Sequence, residues 1–289
     1  MLSFLPGPVR GALSLLLFTI NTIFWTFPIL LLGLLKLLFP SSDWRKFCTR
    51  MQDGMGTVWI FVNNCSLHLT NRIHWDVRGV DGLVPNEWYL VVANHQSWVD
   101  ILVLQKIFSR KIPFLKFFLK KELVWVPFLG LAWWALDYPF LERSAGAYKD
   151  IETTLKACEK FRTIPVSIMN FVEGTRFTME KHRKQSSPYA NLLKPKAGGI
   201  AFVLTAMGKQ IHSILDVTIV YPHGAQNFWA FLCGKVPEIK VRVESLSVDA
   251  ELLGDYFHDR KFRRQFMLWL NALWAEKDDR MKMLLRQEG

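Results

Sequence analysis

Asn94-His95-Gln96-Ser97-Trp98-Val99-Asp100 is the stretch whose reading decides the fold. It follows the apolar run Trp88-Tyr89-Leu90-Val91-Val92-Ala93, which reads as a buried strand. It precedes Val99-Asp100-Ile101-Leu102-Val103-Leu104, which reads as the start of a helix. Ligands and chemistry in α/β sheets collect at the carboxyl ends of strands. In such a turn Asp100 can fold back onto His95 and hold one ring nitrogen, leaving the other free to take a proton from a hydroxyl. The same letters fit a helix capping box, Ser97-x-x-Asp100 before an apolar run, with Asp where Glu is commoner. The two readings are compatible.

Outward from this turn, the chain of 289 residues has room for one large domain, or a domain with an appendage. It carries 36 Lys and Arg against 25 Asp and Glu, a formal charge of +11, which suits anionic partners. With 12 Trp and 22 Phe, a membrane surface is the first expectation among those partners. Nucleic acid is set aside, because the basic residues are interleaved with membrane-like apolar sequence and no reader motif is visible. Cys48, Cys65, Cys158 and Cys233 have no paired spacing, so neither a disulfide framework nor a zinc site is expected, and the chemistry requires no metal. A reducing compartment follows for the main domain.

From Gly11 to Leu35 no residue is charged. As a helix this stretch would reach about 38 Å, more than a bilayer core of roughly 30 Å. It is expected either to span with tilt or to bend at Pro28 into a re-entrant hairpin; a cleaved signal peptide fits less well, since the apolar region is long and no small-x-small site closes it. Lys36, Arg45, Lys46 and Arg50 on its carboxyl side place the main domain on the cytoplasmic face. The expected organisation is a membrane segment over 1–40, an amphipathic connector over 41–66 and an α/β domain over 67–289.

Within that domain Ile73, Trp75 and Val77 alternate with polar neighbours as a half-buried strand, and Val166 to Phe171, Leu215 to Tyr221 and Glu238 to Val243 read as further strands. Helices are expected over Tyr148 to Arg162, Gly198 to Lys209 and Arg260 to Arg286; for the last, packing on the domain and lying on the membrane are both open. Thr178 to Ser187 reads as a mobile polar loop. Lys111 to Phe140 reads as a core helix pair, or as a wall on the membrane interface or along a fatty-chain tunnel, with Lys116, Lys120 and Lys121 toward headgroups. The alternation predicts a single α/β domain with a mostly parallel central sheet flanked by helices.

A second charged turn, Phe171-Val172-Glu173-Gly174-Thr175-Arg176, also ends a strand. Together with Asn94-His95-x4-Asp100 it resembles motifs three and one of the glycerolipid acyltransferase family, of the lysophosphatidic acid acyltransferase or PlsC-like type. Phe140-Leu141-Glu142-Arg143-Ser144 resembles the second motif and Val217-Thr218-Ile219-Val220 the fourth, so the likeness covers residues 70 to 225. The N-terminal apolar segment and Leu193-Lys194-Pro195-Lys196 look like the bacterial YihG-type branch. Val172 and Thr218 stand where prolines are usual, and Glu142 where Asp or Asn is common; these departures bear on the acceptor rather than on the reaction class.

The resemblance implies transfer of a fatty acyl group from acyl-CoA or acyl carrier protein to the free hydroxyl of a lysophospholipid, with 1-acylglycerol-3-phosphate giving phosphatidic acid as the first expectation. It implies no cofactor beyond the donor, membrane phospholipids as surroundings, and a place in the bacterial inner membrane. His95 would be the base and Asp100 would fix its tautomer. In the substrate-binding run Glu173, Gly174, Thr175 and Arg176, Glu173 would hydrogen-bond a glycerol hydroxyl and Gly174 would permit the tight turn. Arg176 and Arg143 would hold the phosphate, with Lys196 as a third cation. Ser97 is read as a cap. Three rivals remain: a His212/Asp216 pair, a serine hydrolase lacking any Gly-x-Ser-x-Gly elbow, and a lipid-binding protein without turnover.

Overall fold

Gly7–Leu38 forms one continuous helix, α1, and Ser42–Thr70 a second, α2. They belong to a computed structural model that describes residues 2–39, 41–141, 158–159, 161 and 164–286. Pro28 lies inside α1 without turning the chain. Of the two expectations for this stretch, the re-entrant bend at Pro28 is not formed, and the chain reverses between Leu38 and Ser42 instead. The two helices run antiparallel and are clasped by polar contacts in their seam. Ser14 Oγ donates to Thr70 Oγ1 at 2.7 Å, Asn21 Nδ2 to Asn63 Oδ1 at 2.9 Å, and Gln52 Nε2 to the Ile29 carbonyl at 3.0 Å. Burying a polar group without a partner is costly, so these three bonds favour one register of the hairpin.

The main sheet contains β1 (His74–Arg78), β2 (Trp88–Ala93), β3 (Leu115–Phe117), β6 (Ser167–Phe171), β7 (Ile211–Val220) and β8 (Glu238–Ser247). Their order is β1-β8-β7-β2-β6-β3. Every pairing is parallel except β7 with β8. Leu90 to Ala93 are fully buried, as a central parallel strand covered on both faces should be. Val91 and Ala93 face a core shared with Val103 and Leu104 of α3 (Val99–Phe108), with Phe231 of α7 (Phe228–Leu232) and with Phe18 and Ile29 of α1. Leu90 and Val92 face the opposite core, built on α6 (Gly198–Met207) and α8 (Arg260–Arg286). The alternation along β2 thus joins the hairpin side to the C-terminal side.

Three expectations change. Lys111 to Phe140 is not a helix pair. It contains β3, then β4 (Leu119–Lys120), a 3-10 turn at Lys121–Trp125, α4 (Leu129–Ala135) and β5 (Phe140–Leu141), which pairs with β4. Lys116 does not reach for headgroups: it is buried, its ammonium 3.2 Å from Asp53 Oδ1 and donating to the Leu136 carbonyl at 2.7 Å. The stretch read as a mobile loop contains α5 (Met179–Gln185), because Thr178 caps it by accepting the Lys181 N–H at 3.2 Å. The last helix is decided too: α8 packs on the domain through Phe266, Leu270, Leu273 and Trp274. The helix expected over Tyr148 to Arg162 lies almost wholly outside the described residues.

Candidate active site

The carboxyl end of β2 delivers His95 into the turn before α3, with its side chain 14% exposed. Its Nδ1 lies 2.9 Å from Asp100 Oδ2. That same oxygen accepts the Gln96 N–H at 2.6 Å and the Ser97 N–H at 2.8 Å, while Asp100 Oδ1 accepts the Tyr221 hydroxyl at 2.6 Å. Two backbone N–H groups and a hydroxyl converge on one fully buried carboxyl, which leaves it an acceptor toward His95 as well. The His95 proton then sits on Nδ1 and the lone pair on Nε2, which has no hydrogen-bond partner among the described residues. The bond from Ser97 N–H to Asp100 is also half of a capping box, so one carboxylate both holds the helix start and orients the histidine.

Aromatic packing sets the ring. His95 stacks on Phe171 with centroids 3.9 Å apart and planes 14° apart. Phe171 is the register partner of Ala93, so the parallel pairing of β2 and β6 carries the two charged turns to the same place. Ser97 Oγ is occupied: it donates to the Gln226 carbonyl at 2.5 Å and accepts the Val99 N–H at 3.2 Å. Asn94, from the same turn, accepts the Ile219 N–H at 2.8 Å and donates to the Ile219 carbonyl at 2.9 Å, tying the turn to β7.

Glu173 has a different position from the one expected. It is fully buried, with Oε1 accepting the His95 N–H at 2.8 Å and Oε2 the Leu193 N–H at 2.9 Å. Both oxygens hold backbone, so its carboxylate supports the His95 turn instead of facing a substrate hydroxyl. Burial pushes its pKa up to about 7, although the two N–H groups pull the other way. Gly174 has φ +68°, and a Cβ there would lie 3.2 Å from Lys196 Cδ, so the turn needs glycine and the lysine lies across it. Thr175 Oγ1 accepts from Lys181 Nζ at 2.8 Å. The exposed Arg176 guanidinium sits 5.1 Å from the Trp98 ring centroid, beside the His95 turn. The next residue, Phe177, donates its N–H to the His95 carbonyl at 2.7 Å.

His95, Asp100 and the 173–176 turn are therefore joined, with Lys196 across Gly174. Arg143 and Glu142 lie outside the described residues. The rival pair does not form: His212 is exposed at the start of β7, whereas Asp216 is buried and ion-paired with Lys277 at 2.6 Å and Arg280 at 3.1 Å. Tyr221 was missed in the sequence, although its place at the end of a strand beside β2 marked it for inspection. Burial, reinforced by the Asp100 charge, raises its pKa well above the ordinary value and keeps it a donor. Lys181 was hidden by the reading of its helix as a loop.

A family model described as Acyltransferase matches residues 74–222, which include all these turn residues. The chain is 25% identical over 279 residues to lysocardiolipin acyltransferase 1 of Mus musculus, covering 90% of this chain and 70% of that protein. It is 34% identical over 152 residues to 1-acyl-sn-glycerol-3-phosphate acyltransferase 3 of Arabidopsis thaliana, covering 47% of this chain and 39% of that one. Among solved structures, the 1-acyl-sn-glycerophosphate (LPA) acyltransferase PlsC from Thermotoga maritima shares the fold. Its TM-score is 0.57 at 19% identity, over 96% of this chain and 98% of that chain.

Proposed function

This chain belongs to the acyltransferase family as a PlsC-like glycerolipid acyltransferase, and on that premise we propose that it carries a fatty acyl group from acyl-CoA or acyl carrier protein to the free hydroxyl of 1-acylglycerol-3-phosphate. The observation that carries the reading is the His95–Asp100 pair with Nε2 unpartnered among the described residues. The acceptor oxygen attacks the thioester carbonyl carbon as its proton passes to Nε2. The tetrahedral intermediate expels the thiolate, which takes that proton back, leaving an ester and a free thiol. Asp100 stabilises the imidazolium between the two steps without being protonated. No acyl-enzyme is needed, and the Ser97 hydroxyl is engaged in the turn. Arg176 and Lys196 supply the cations for the acceptor phosphate, with Arg143 as a third.

A second acceptor, lysocardiolipin, is favoured by the name of a relative matched over 90% of this chain. The acceptors are separated by measuring thiol release from oleoyl-CoA with lysophosphatidic acid, with monolysocardiolipin and with neither, for wild type and for folded His95→Ala. We expect acceptor-dependent release that falls roughly a hundred- to ten-thousand-fold in the variant. Faster turnover on monolysocardiolipin would reassign the acceptor. Release without any acceptor would replace transfer by hydrolysis. Lipid binding with no thiol release from either donor class would leave a binding protein.

The membrane reading is supported by α1, which is long and apolar enough to cross a bilayer by length and composition. Leu16, Ile20, Phe24, Leu31 and Leu34 remain exposed along it. We place the protein at the bacterial inner membrane with the catalytic domain on the cytoplasmic face; this rests on the YihG-type likeness, and Lys36, Arg45, Lys46 and Arg50 suit the anionic surface of that leaflet.

A further inference from the structure

We propose a second anion site, one that takes the phosphate of an anionic phospholipid headgroup, in a cavity on the β1 side of the sheet. This cavity of about 390 Å³ lies between the end of α2, the start of β1 and the last turn of α3. His68, Arg72, His74 and Lys106 line it together with the Asn64 amide, and none of its lining residues is acidic. Glu238, the strand partner of His74, is not part of the lining.

Lys106 is the informative member. Its ammonium lies 5.0 Å from the Trp75 ring centroid, partly withdrawn from water, and no carboxylate pairs with it among the described residues. Burial accordingly pulls its pKa below the ordinary lysine value. A cation placed over a ring face without a counter-ion is electrostatically incomplete, and an incoming phosphate would complete it. Arg72 adds a planar fork that suits phosphate oxygens.

The volume and the rim choose the kind of phosphate. At about 30 Å³ per water, the cavity holds on the order of ten waters, more room than a bare phosphate needs. Phe61 and Leu69 of α2 are 50% and 44% exposed outside the cavity lining, and the Arg110 guanidinium sits 5.5 Å from the Phe61 ring centroid, a further cation on that face. Phe61, Asn64 and His68 follow one another at helical spacing on one face, so an acyl chain could lie over the first while its headgroup enters beside the others. The site is separate from the acceptor cations. Asp100 and Lys106 stand at opposite ends of α3, about 9 Å apart along its axis, and Arg176 follows β6 on the other side of β2.

The test uses the full-length chain carrying Arg143→Gln, Arg176→Gln and Lys196→Gln, which silences the proposed acceptor cations, in an uncharged detergent. Dihexanoyl phosphatidylglycerol, dihexanoyl phosphatidylcholine and inorganic phosphate are titrated separately by calorimetry. Saturable binding of the anionic lipid is expected, at least about tenfold tighter than either alternative. Adding Arg72→Glu, at an exposed position, should weaken it by about tenfold or more, as should Lys106→Gln, while Arg260→Glu on the distant α8 should not. Lipid binding unchanged in both cavity variants overturns the site. An equal loss in Arg260→Glu overturns it as general charge attraction, and inorganic phosphate binding as tightly as the lipid overturns the lipid source.

Discussion

Asp100 orients the candidate base by accepting from His95, two backbone N–H groups and Tyr221 at once. Replacing Tyr221 by Phe removes one of these four bonds and leaves the other three, so we expect a loss of about 1.5–3 kcal/mol in stability, the range for a bond to a charged group, and a modest fall in kcat. Asp100→Asn should cost far more in kcat, because an amide cannot accept from every donor around it and the His95 tautomer is no longer fixed. Equal kcat losses in the two variants, measured by thiol release, would argue against a tautomer-fixing role. Glu173 allows a pH test. Its folded pKa is raised from 4.5 to about 7, so between those values the folded state binds more protons than the unfolded state. The stability it contributes is fully present below the unfolded pKa and is lost as pH rises through about 7. In Glu173→Gln that slope should vanish, and the amide nitrogen would confront a backbone N–H at a cost of roughly 1–3 kcal/mol. Urea unfolding of both proteins from about pH 5 to about pH 8 reads the difference; a gap independent of pH would remove Glu173 as its source.

At the scale of elements, α8 reaches the His95 turn through a relay of backbone contacts. Asp278 accepts the Ala190 N–H at 2.9 Å and the Asn191 N–H at 2.8 Å, and Trp274 donates to the Leu193 carbonyl at 3.0 Å. Leu193 then donates to Glu173, which holds His95. Asp278→Ala strands two N–H groups, so we expect a stability loss of roughly 1–3 kcal/mol together with a lower kcat at nearly unchanged KM. A variant that is destabilised with kcat intact would uncouple the helix from the site. The helix itself was legible in the sequence, since its apolar spacing over Arg260 to Arg286 is regular, and so were β2, β6 and the two charged turns at their ends. What its buried charges do was not legible. Lys277 is completely buried against Asp216, and burial lowers its pKa while Asp216 opposes the change. The pairing joins residues 61 positions apart, and spacing along a helix carries no signal for it. For the same reason Glu173 was assigned to substrate: its motif marked the site, but its direction is set by Leu193 in a loop whose path is tertiary. Likewise α5 depends on one threonine cap in a charged stretch with no apolar stripe.

At the scale of the molecule, the catalytic domain touches α1 near both of its ends. A Cβ on Gly11 would meet Cys233 Sγ at 2.6 Å, and one on Gly33 would come within 3.0 Å of the Ala135 Cβ. Those glycines are about 33 Å apart along the helix axis, roughly the thickness of a bilayer core. An upright α1 would therefore draw the domain, together with Asp43, Arg45, Lys46, Arg50 and Asp53 of α2, toward the hydrocarbon. Charges at a bilayer centre cost about 2.5–3.5 kcal/mol each even on insertion scales. The arrangement that avoids this lays the hairpin along one face of the membrane, with the exposed stripe of α1 in lipid and its buried stripe on the domain. Both ends of α1 should then face the same compartment. In a Cys65→Ser background, where the remaining described cysteines are buried, Ser3→Cys and Ser41→Cys should react with an impermeant maleimide from one side only, and from the same side. Labelling from opposite sides would require α1 to cross the membrane, and its contacts with the domain at Gly11 and Gly33 could not both persist. Labelling from one side keeps both contacts of α1 with the domain, at Gly11 and Gly33, so that the domain lies against the leaflet from which a lysolipid would reach His95 by lateral movement.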